Sequence, residues 1–377
     1  MKEDPSRVGP PDKRLRFPRS DLVKEPHISR RIFLGGGAAW AAASMTPESI
    51  LERLANVASI GSDAPIDKKI EKQKALDAAI AAVQKNLKDP SVQDALAGNG
   101  EAPFSKIFRA IEIPILPEHL IGTSYDVTEA RERYPVQFGL HKNKAAAFKD
   151  RLQITPSDSR DGHAEFLSEE DGGYGNGVFW ENKHTLLTAK HVVNSFLLGT
   201  GWTPPKNETD IALVDVGATN SARYDDCIMR DDPRLTNANI HGSFVATVGI
   251  DPDSTKDSTG RKTYPGVAVR MNEKLVRALA ANGPLDPLFM QAAERSFMVV
   301  LPPGEAKIRE NKKWMPAQGM SGSPVVIQRA DGTSALAGIL WGAARINEGN
   351  RSVEVMFFHG IDDIRTATKN ISVAKLP

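Results

Sequence analysis

Ser321 has the surroundings best suited to nucleophilic chemistry, and it lies in the run GMSGSP at residues 319–324. A serine hydroxyl is a weak nucleophile at neutral pH and needs a base to take its proton. It also needs N–H donors aimed at the oxyanion that forms after attack. Because Gly319 has no Cβ and can adopt unusual backbone angles, its N–H and that of Ser321 can form such an oxyanion hole. The same residue types also dominate ordinary turns, so a base and an acid must be found elsewhere in the chain.

A base and an orienting acid are available earlier in the chain. His191 follows the apolar run 186–189, where a strand gives way to a turn or helix, and a histidine there can act as a base in a cleft. Asp210 begins the apolar run 211–214, and such an aspartate can hold an imidazole in the required tautomer. Asp215 is the rival acid. The order His, Asp, Ser differs from the order Ser, acid, His of the α/β-hydrolases.

These motifs together resemble the trypsin-like (chymotrypsin-fold) serine peptidases. The resemblance is carried by three runs: TAKHVV at 188–193, DIAL at 210–213 and GMSGSP at 319–324. A fourth run, ILWG at 339–342, resembles the strand that lies beside the substrate backbone in that family. The most similar branch is that of the bacterial glutamyl endopeptidases. The resemblance covers roughly residues 160 to 377.

The resemblance implies a mainly β protein with two six-stranded β-barrels of the chymotrypsin type and a helical N-terminal extension. His191 and Asp210 would come from the first barrel and Ser321 from the second. The implied reaction is cleavage of a protein or peptide substrate through an acyl-enzyme, with no metal or organic cofactor. A rival from another class is a non-catalytic binding protein on the same scaffold, and labelling of Ser321 by a fluorophosphonate probe would distinguish the two.

The resemblance also indicates which residues bind substrate: Met315, Pro316, Leu340, Trp341 and Gly342. Met315 stands at the expected floor of the pocket for the residue before the scissile bond. A trypsin-type pocket needs an acid there, and the glutamyl branch needs a histidine and a hydroxyl residue where this chain has Leu340 and Pro316. Because an unpaired charge buried against such side chains would be strongly destabilised, we expect cleavage after medium or large apolar residues.

Three features depart from the family pattern. Asp210 follows His191 by only 19 positions, which requires a short connection. Two predicted helices between residues 272 and 294 are additional, as a lid or as decoration. Met320 stands where zymogen-activated relatives carry an aspartate, so activation through a salt bridge to a new N-terminus is not expected.

Composition limits the other function classes. The chain has 377 residues, 40% of them apolar and 25% charged, with a formal net charge of +1. A charge balance so near neutral provides no strong field for nucleic acid or for an anionic membrane. Cys227 is the only cysteine, which excludes an intrachain disulfide and a cysteine-based zinc cluster.

The N-terminal region, residues 1–58, resembles a twin-arginine export signal. Arg30 and Arg31 lie in the run SRRIFL, which a weakly apolar stretch follows to residue 45. This stretch is shorter than the about 20 residues that a membrane-spanning helix needs, so no stable membrane span is expected. The resemblance implies the twin-arginine export machinery as a partner and a periplasmic or secreted location. Cleavage after Ala43 and cleavage after Ala58 both fit the pattern.

Residues 59–160 are expected to form a helical extension that packs on the next domain or, alternatively, a propeptide-like docking arm. The clearest element is an amphipathic helix over 65–87, with one apolar stripe: Ile70, Leu76, Ile80, Val83 and Leu87.

Residues 161–377 form the predicted peptidase domain. A hairpin over 175–193 is followed by short apolar runs that predict strands at 211–216, 244–250, 267–271, 296–301, 323–328, 335–342 and 353–358. Helices are predicted at 273–281, capped by Asn272, and at 286–294 and 361–368.

Overall fold

The structure is a computed structural model that describes residues 66–111, 120, 123–141, 152–155, 172–192, 209–215, 227–250, 261–281, 287–301, 320–329, 332–348 and 351–370. The chain divides into two compact units, Met1–Leu54 and Ala55–Pro377, and every described residue lies in the second unit. The predicted export signal and both candidate cleavage positions therefore lie outside the described residues.

Helices dominate the first part of the described chain. Their bounds are α1 Ile66–Leu87, α2 Pro90–Leu96, α3 Pro103–Ile111 and α4 Thr128–Arg133. Helix α1 buries Leu76, Ile80, Val83 and Leu87, whose spacing of three and four residues places them on one face. Ile70, which the sequence analysis put on the same stripe, is exposed. Among the described residues, no helix has both the length and the apolar character that a membrane crossing requires.

The first sheet has six strands in the described residues. They are β1 Val136–His141, β2 Leu152–Thr155, β3 Gly172–Trp180, β4 Thr185–Thr188, β5 Ala212–Asp215 and β6 Ile228–Met229. The order is β2-β1-β3-β4-β5, with β6 paired to β3. Strand β6 runs parallel to β3, and the other neighbours are antiparallel. Within the described residues this sheet is not closed into a barrel.

Strands β1 and β2 lie within residues 59–160, which the sequence analysis predicted to be a helical extension. They precede residue 160, where the sequence analysis began the β-rich domain, yet β1 pairs with β3 along its whole length. The sheet therefore begins before that boundary.

The second half of the chain forms a closed barrel. Its elements are α5 Asn237–Ile240, β7 Phe244–Ile250, β8 Arg261–Arg270, α6 Glu273–Ala281, α7 Pro287–Glu294, β9 Phe297–Val300, β10 Pro324–Gln328, β11 Ser334–Glu348, β12 Arg351–Gly360 and α8 Ile361–Asn370. The strands close in the order β10-β11-β12-β9-β8-β7. The chain is thus mainly β, with one closed six-stranded barrel and a second sheet, as the sequence predicted at this level.

Alternate residues of the barrel strands belong to two different hydrophobic cores, because side chains of a strand point to opposite faces. On β9, Met298 and Val300 join the core that contains the buried residues of α1–α3, whereas Phe297 and Val299 join the other core.

Helix α6 links the N-terminal helices to the barrel. Asn272 accepts the Leu275 N–H at 3.0 Å, as a cap does, and its side-chain amide donates to the Leu96 carbonyl of α2 at 2.7 Å.

Candidate active site

His191 and Asp210 meet because β4 and β5 are antiparallel neighbours. Thr188, the last residue of β4, lies opposite Ala212, the first residue of β5. The chain that leaves β4 therefore runs beside the chain that enters β5, and the Lys190 N–H donates to the Asp210 carbonyl at 3.2 Å. This pairing places the next residue, His191, directly against Asp210.

Both carboxylate oxygens of Asp210 bind His191. The imidazole Nδ1 lies 2.5 Å from Oδ2, and the backbone N–H of His191 donates to Oδ1 at 2.7 Å. The Asp210 side chain is only 5% exposed, whereas that of His191 is 35% exposed. The acid is thus enclosed while the imidazole retains an open side, which is the arrangement that an orienting acid and a working base require.

The electrostatic environment keeps Asp210 ionised at neutral pH. Burial of the carboxyl group disfavours its charge, but the hydrogen bond from the His191 ring, the charge of that ring and the nearby His359 outweigh burial and lower the pKa of Asp210. An ionised carboxylate only accepts hydrogen bonds, so the proton between the two groups lies on His191 Nδ1. The other ring nitrogen, Nε2, is then the atom that can accept a proton from a nucleophile.

The rival acid, Asp215, lies at the wrong end of its strand. Its backbone is paired with Thr185, the first residue of β4, whereas His191 follows the last residue of that strand. The strand register therefore favours Asp210 as the partner of the imidazole.

Ser321 lies in a tight turn that precedes β10. The Ser323 N–H donates to the Met320 carbonyl at 2.9 Å, and Gly322, the third residue of this turn, has φ of +87°. A type II turn requires a positive φ at that position, and glycine adopts it without steric cost. Ser321 precedes this glycine and is partly exposed, whereas Met320, Gly322 and Ser323 are buried.

The turn is fixed to both halves of the fold by its backbone. The Asn176 N–H of β3 donates to the Ser321 carbonyl at 3.0 Å, and the Gly322 N–H donates to the Leu340 carbonyl of β11 at 2.7 Å. A Cβ on Gly322 would stand 2.3 Å from the Thr188 hydroxyl. The serine turn therefore packs against the end of β4, the strand that leads to His191. In the described part of the chain, however, the Ser321 hydroxyl makes no hydrogen bond to His191.

Asn176 is a site residue that the sequence analysis did not identify. Its side-chain amide donates to the Ile250 carbonyl at 3.0 Å and accepts the Ile250 N–H at 3.1 Å, so it pairs with the end of β7 as a peptide group would. Its own carbonyl accepts the Thr188 hydroxyl at 2.6 Å. One buried side chain thus joins the first sheet to the barrel beside the serine turn. The sequence offers one indication of this role, a polar Asn within a Gly-rich strand.

The predicted substrate-binding residues are only partly described. Met315 and Pro316, and Gly319 of the predicted oxyanion hole, lie outside the described residues. Leu340 is on β11 but has no exposed surface, because its side chain belongs to the hydrophobic core. A direct contact between this side chain and a substrate is therefore not available in this conformation.

Trp341 and Gly342 occupy an irregular segment of β11. The pairing of β11 with β12 shifts register between Leu340 and Gly342. The Trp341 ring lies 5.0 Å from that of Phe289 on α7, centroid to centroid, and a Cβ on Gly342 would be 3.4 Å from the same Phe289 ring. The additional helix α7 thus contributes an aromatic side chain beside the predicted substrate strand.

Among the described residues, no group of three or more His, Cys, Asp or Glu side chains is placed to hold a metal ion.

Comparisons with known proteins give distant structural matches. No protein-family model and no curated protein sequence matches the chain. The crystal structure of Rv3671c from M. tuberculosis H37Rv, an inactive mutant form, is 12% identical and matches 67% of this chain and 92% of its own, with a TM-score of 0.33. A mutant of the HtrA-type protease AlgW with tripeptide is 14% identical and matches 66% of this chain and 62% of its own, with a TM-score of 0.33. At such low TM-scores neither match assigns a function.

The serine turn provides a test of its packing. Gly322 and Gly332 both have positive φ, +87° and +81°, but a Cβ on Gly322 would stand 1.8 Å from the Asn176 carbonyl oxygen, whereas one on Gly332 would meet nothing within 4 Å. Gly332→Ala should cost about 1–2 kcal/mol of unfolding free energy through backbone strain alone. Gly322→Ala should cost a further ~1–3 kcal/mol through overpacking. Urea unfolding of both variants measures the difference, and equal losses would contradict the close packing described for this turn.

Proposed function

We propose that this chain is an exported serine endopeptidase that cleaves peptide bonds through Ser321, His191 and Asp210. The observation that carries the proposal is the His191–Asp210 pair: an enclosed carboxylate binds Nδ1 of a half-open imidazole at 2.5 Å. The serine turn packs against the strand that leads to this imidazole. The chain order His, Asp, Ser resembles that of the trypsin-like serine peptidases.

In the proposed reaction, His191 Nε2 takes the proton from the Ser321 hydroxyl as Oγ attacks the carbonyl carbon of the scissile bond. The N–H groups of Gly319 and Ser321 would stabilise the oxyanion. The C–N bond then breaks, and His191 returns the proton to the leaving amine. Water hydrolyses the resulting ester by the same steps, which restores the serine. Asp210 holds the imidazole in the Nδ1–H tautomer and compensates the charge that His191 acquires.

The proposal extends to the fold. We infer that the six strands of the first sheet belong to a second six-stranded barrel of the chymotrypsin type. In favour of this inference, His191 follows β4 and Asp210 precedes β5 at the same end of these strands, and the neighbouring strand β3 is joined to the closed barrel through Asn176 and Ile250. A cleft between two barrels would then contain the three catalytic residues.

The first experiment asks whether Ser321 is an activated nucleophile. A fluorophosphonate probe should label wild-type protein at Ser321, and Ser321→Ala should abolish labelling and lower kcat by ~10⁴–10⁶. The unfolding temperature should change little because Ser321 is partly exposed. Unlabelled but folded wild-type protein would instead favour a non-catalytic binding protein on this scaffold.

The two aspartates provide a matched control for that experiment. Asp210→Asn should lower kcat by ~10⁴, because an amide favours the wrong imidazole tautomer. Asp215→Asn makes the same chemical change at the far end of β5 and should have a much smaller effect. The reverse ranking would assign the acid to Asp215.

We further propose that the substrate pocket prefers medium or large apolar residues before the cut. The support comes from the residue types at two predicted pocket positions, Met315 and Pro316, which include no charge and no hydroxyl group. Burial of an apolar side chain is worth ~1.5–3 kcal/mol, or about tenfold or more in kcat/KM at ~1.4 kcal/mol per factor of ten.

A peptide library that varies the residue before the scissile bond measures this preference. Leu, Met or Phe should rank first, and replacement of Met315 by Asp should move the preference towards Lys and Arg. A wild-type profile led by Glu, Lys or Arg would show that the pocket is built from other residues.

Export by the twin-arginine route is the last part of the proposal, and its support is the run SRRIFL with Arg30 and Arg31. A receptor that reads both guanidinium groups does not accept lysine as an equivalent, because the planar fork of donors is lost. Replacing both arginines by Lys should therefore block translocation although the charge is unchanged. Cell fractionation of the variant measures this, with Lys24 changed to Arg as the control. Normal export of the double-Lys variant would exclude the twin-arginine route.

A further inference from the structure

His359 is a buried histidine that approaches the candidate active site from the opposite half of the fold. It lies near the end of β12 and is 1% exposed. Its Nε2 accepts the backbone N–H of Asp210 at 3.1 Å, across 149 positions of sequence. The ring stacks on Trp341, with centroids 5.7 Å apart. The side chain therefore contacts both the acid of the His191–Asp210 pair and the predicted substrate strand.

The hydrogen bonds around His359 fix its tautomer. Because Nε2 accepts the Asp210 N–H, that nitrogen carries no proton, and the neutral ring must carry its proton on Nδ1. Nδ1 faces the Ser296 hydroxyl at 3.4 Å. That hydroxyl donates to the Ala292 carbonyl at 2.7 Å and accepts the Trp341 indole N–H at 2.8 Å. Ser296 can therefore accept the His359 Nδ1 proton, and each polar atom in this buried chain has a partner.

Asp210 uses all of its polar groups for anchoring. Its carboxylate oxygens bind the ring and the backbone N–H of His191, its carbonyl binds the Lys190 N–H, and its own N–H binds His359. The first three contacts come from the segment that carries His191, so they move with it. Among the described residues, only the bond to His359 ties Asp210 to the barrel that bears Ser321.

We propose that His359 is a positioning residue for the peptidase reaction: as a neutral Nδ1–H imidazole held by Ser296 and Trp341, it accepts the Asp210 N–H and sets the position of the His191–Asp210 pair relative to Ser321. This inference rests on the proposed function, because the position of the pair matters only if Ser321 reacts. A misplacement of about 1 Å at reacting groups can cost about 10²-fold in rate, which makes such an anchor consequential.

The buried environment is consistent with the neutral ring. Burial lowers the pKa of His359 to about 4, and the charged groups that face it are Asp210, His191 and Arg295. A histidine with a folded-state pKa below its ordinary value of 6.5 is protonated more readily in the unfolded chain. The free energy of unfolding should therefore fall as the pH drops from about 6.5 to about 4, and replacement of His359 by a residue that does not titrate should remove that part of the dependence.

The test compares two substitutions that differ in one hydrogen bond. His359→Phe keeps an aromatic ring against Trp341 but has no acceptor, whereas His359→Gln places a carbonyl oxygen near the position of Nε2. With the fluorophosphonate probe, the Phe variant should label about 10–100-fold more slowly than wild type, and the Gln variant should recover most of the rate. With a peptide substrate, the loss should appear in kcat with little change in KM.

Proton NMR gives a readout that does not depend on catalysis. The His191 Nδ1 proton in its short bond to Asp210 should give a far-downfield resonance in wild type and in the Gln variant, and a shifted or lost resonance in the Phe variant. Equal labelling of both variants and wild type would overturn the positioning role. Equally slow labelling of both variants would also overturn it, because His359 would then act through packing alone.

Two further outcomes are distinguishable. If wild-type protein is not labelled but the NMR signal changes as described, the proposed function fails and the anchoring of Asp210 by His359 stands. If the Phe variant does not fold, Ser296→Ala takes its place, because it removes the hydroxyl that holds the His359 proton. A slower labelling rate in that folded variant would support the proposal, and an unchanged rate would overturn it.

Discussion

The burial of the Asp210 carboxylate is the constraint on which the arrangement of the candidate site depends. An ionised carboxylate that is 5% exposed is strongly destabilised unless hydrogen bonds compensate it. Here the compensation comes from His191, and it is possible because β4 and β5 are antiparallel and bring both segments together. Any change in the β4–β5 register would separate the imidazole from the carboxylate and leave a buried charge without its partner. The strand pairing and the electrostatics of the site thus stabilise the same geometry.

In the described part of the chain, buried polar side chains join the first sheet to the barrel, in addition to the hydrophobic core that both halves share. Asn176 connects β3 with the end of β7 and with the Ser321 carbonyl, and His359 connects β12 with Asp210. Each of these side chains is buried, so an unpaired polar atom on either would carry a desolvation cost of about 1–3 kcal/mol. The loss of any one of these contacts is therefore unfavourable, which favours a single relative position of the serine turn and the His191–Asp210 pair.

Local patterns in the sequence predict much of the fold and part of the site. The strand 244–250 and the helix 273–281 with its Asn272 cap occur at the predicted residues, because an apolar run and a helix cap are local properties. The pairing of His191 with Asp210 was also predictable, since both lie at the ends of recognisable strands. Contacts between distant parts of the chain leave no local pattern. Arg261, for example, is buried and donates to the carbonyls of Arg131 and Glu132 at the end of α4, about 130 positions away. For the same reason His359 and Asn176 were not identified.

The Asn176 contacts have a consequence for the chemical durability of the protein. Asn176 is followed by Gly177, and asparagine is among the residues that degrade on heating. In the unfolded chain, an Asn-Gly step is free to cyclise and lose its amide nitrogen. In the folded chain, both amide atoms are bound to Ile250 and the residue has no exposed surface, so cyclisation is blocked. Conversion to aspartate would place a carboxylate against the Ile250 carbonyl and prevent the two halves from joining again. Prolonged unfolding should therefore become irreversible through deamidation at a residue that the native state protects.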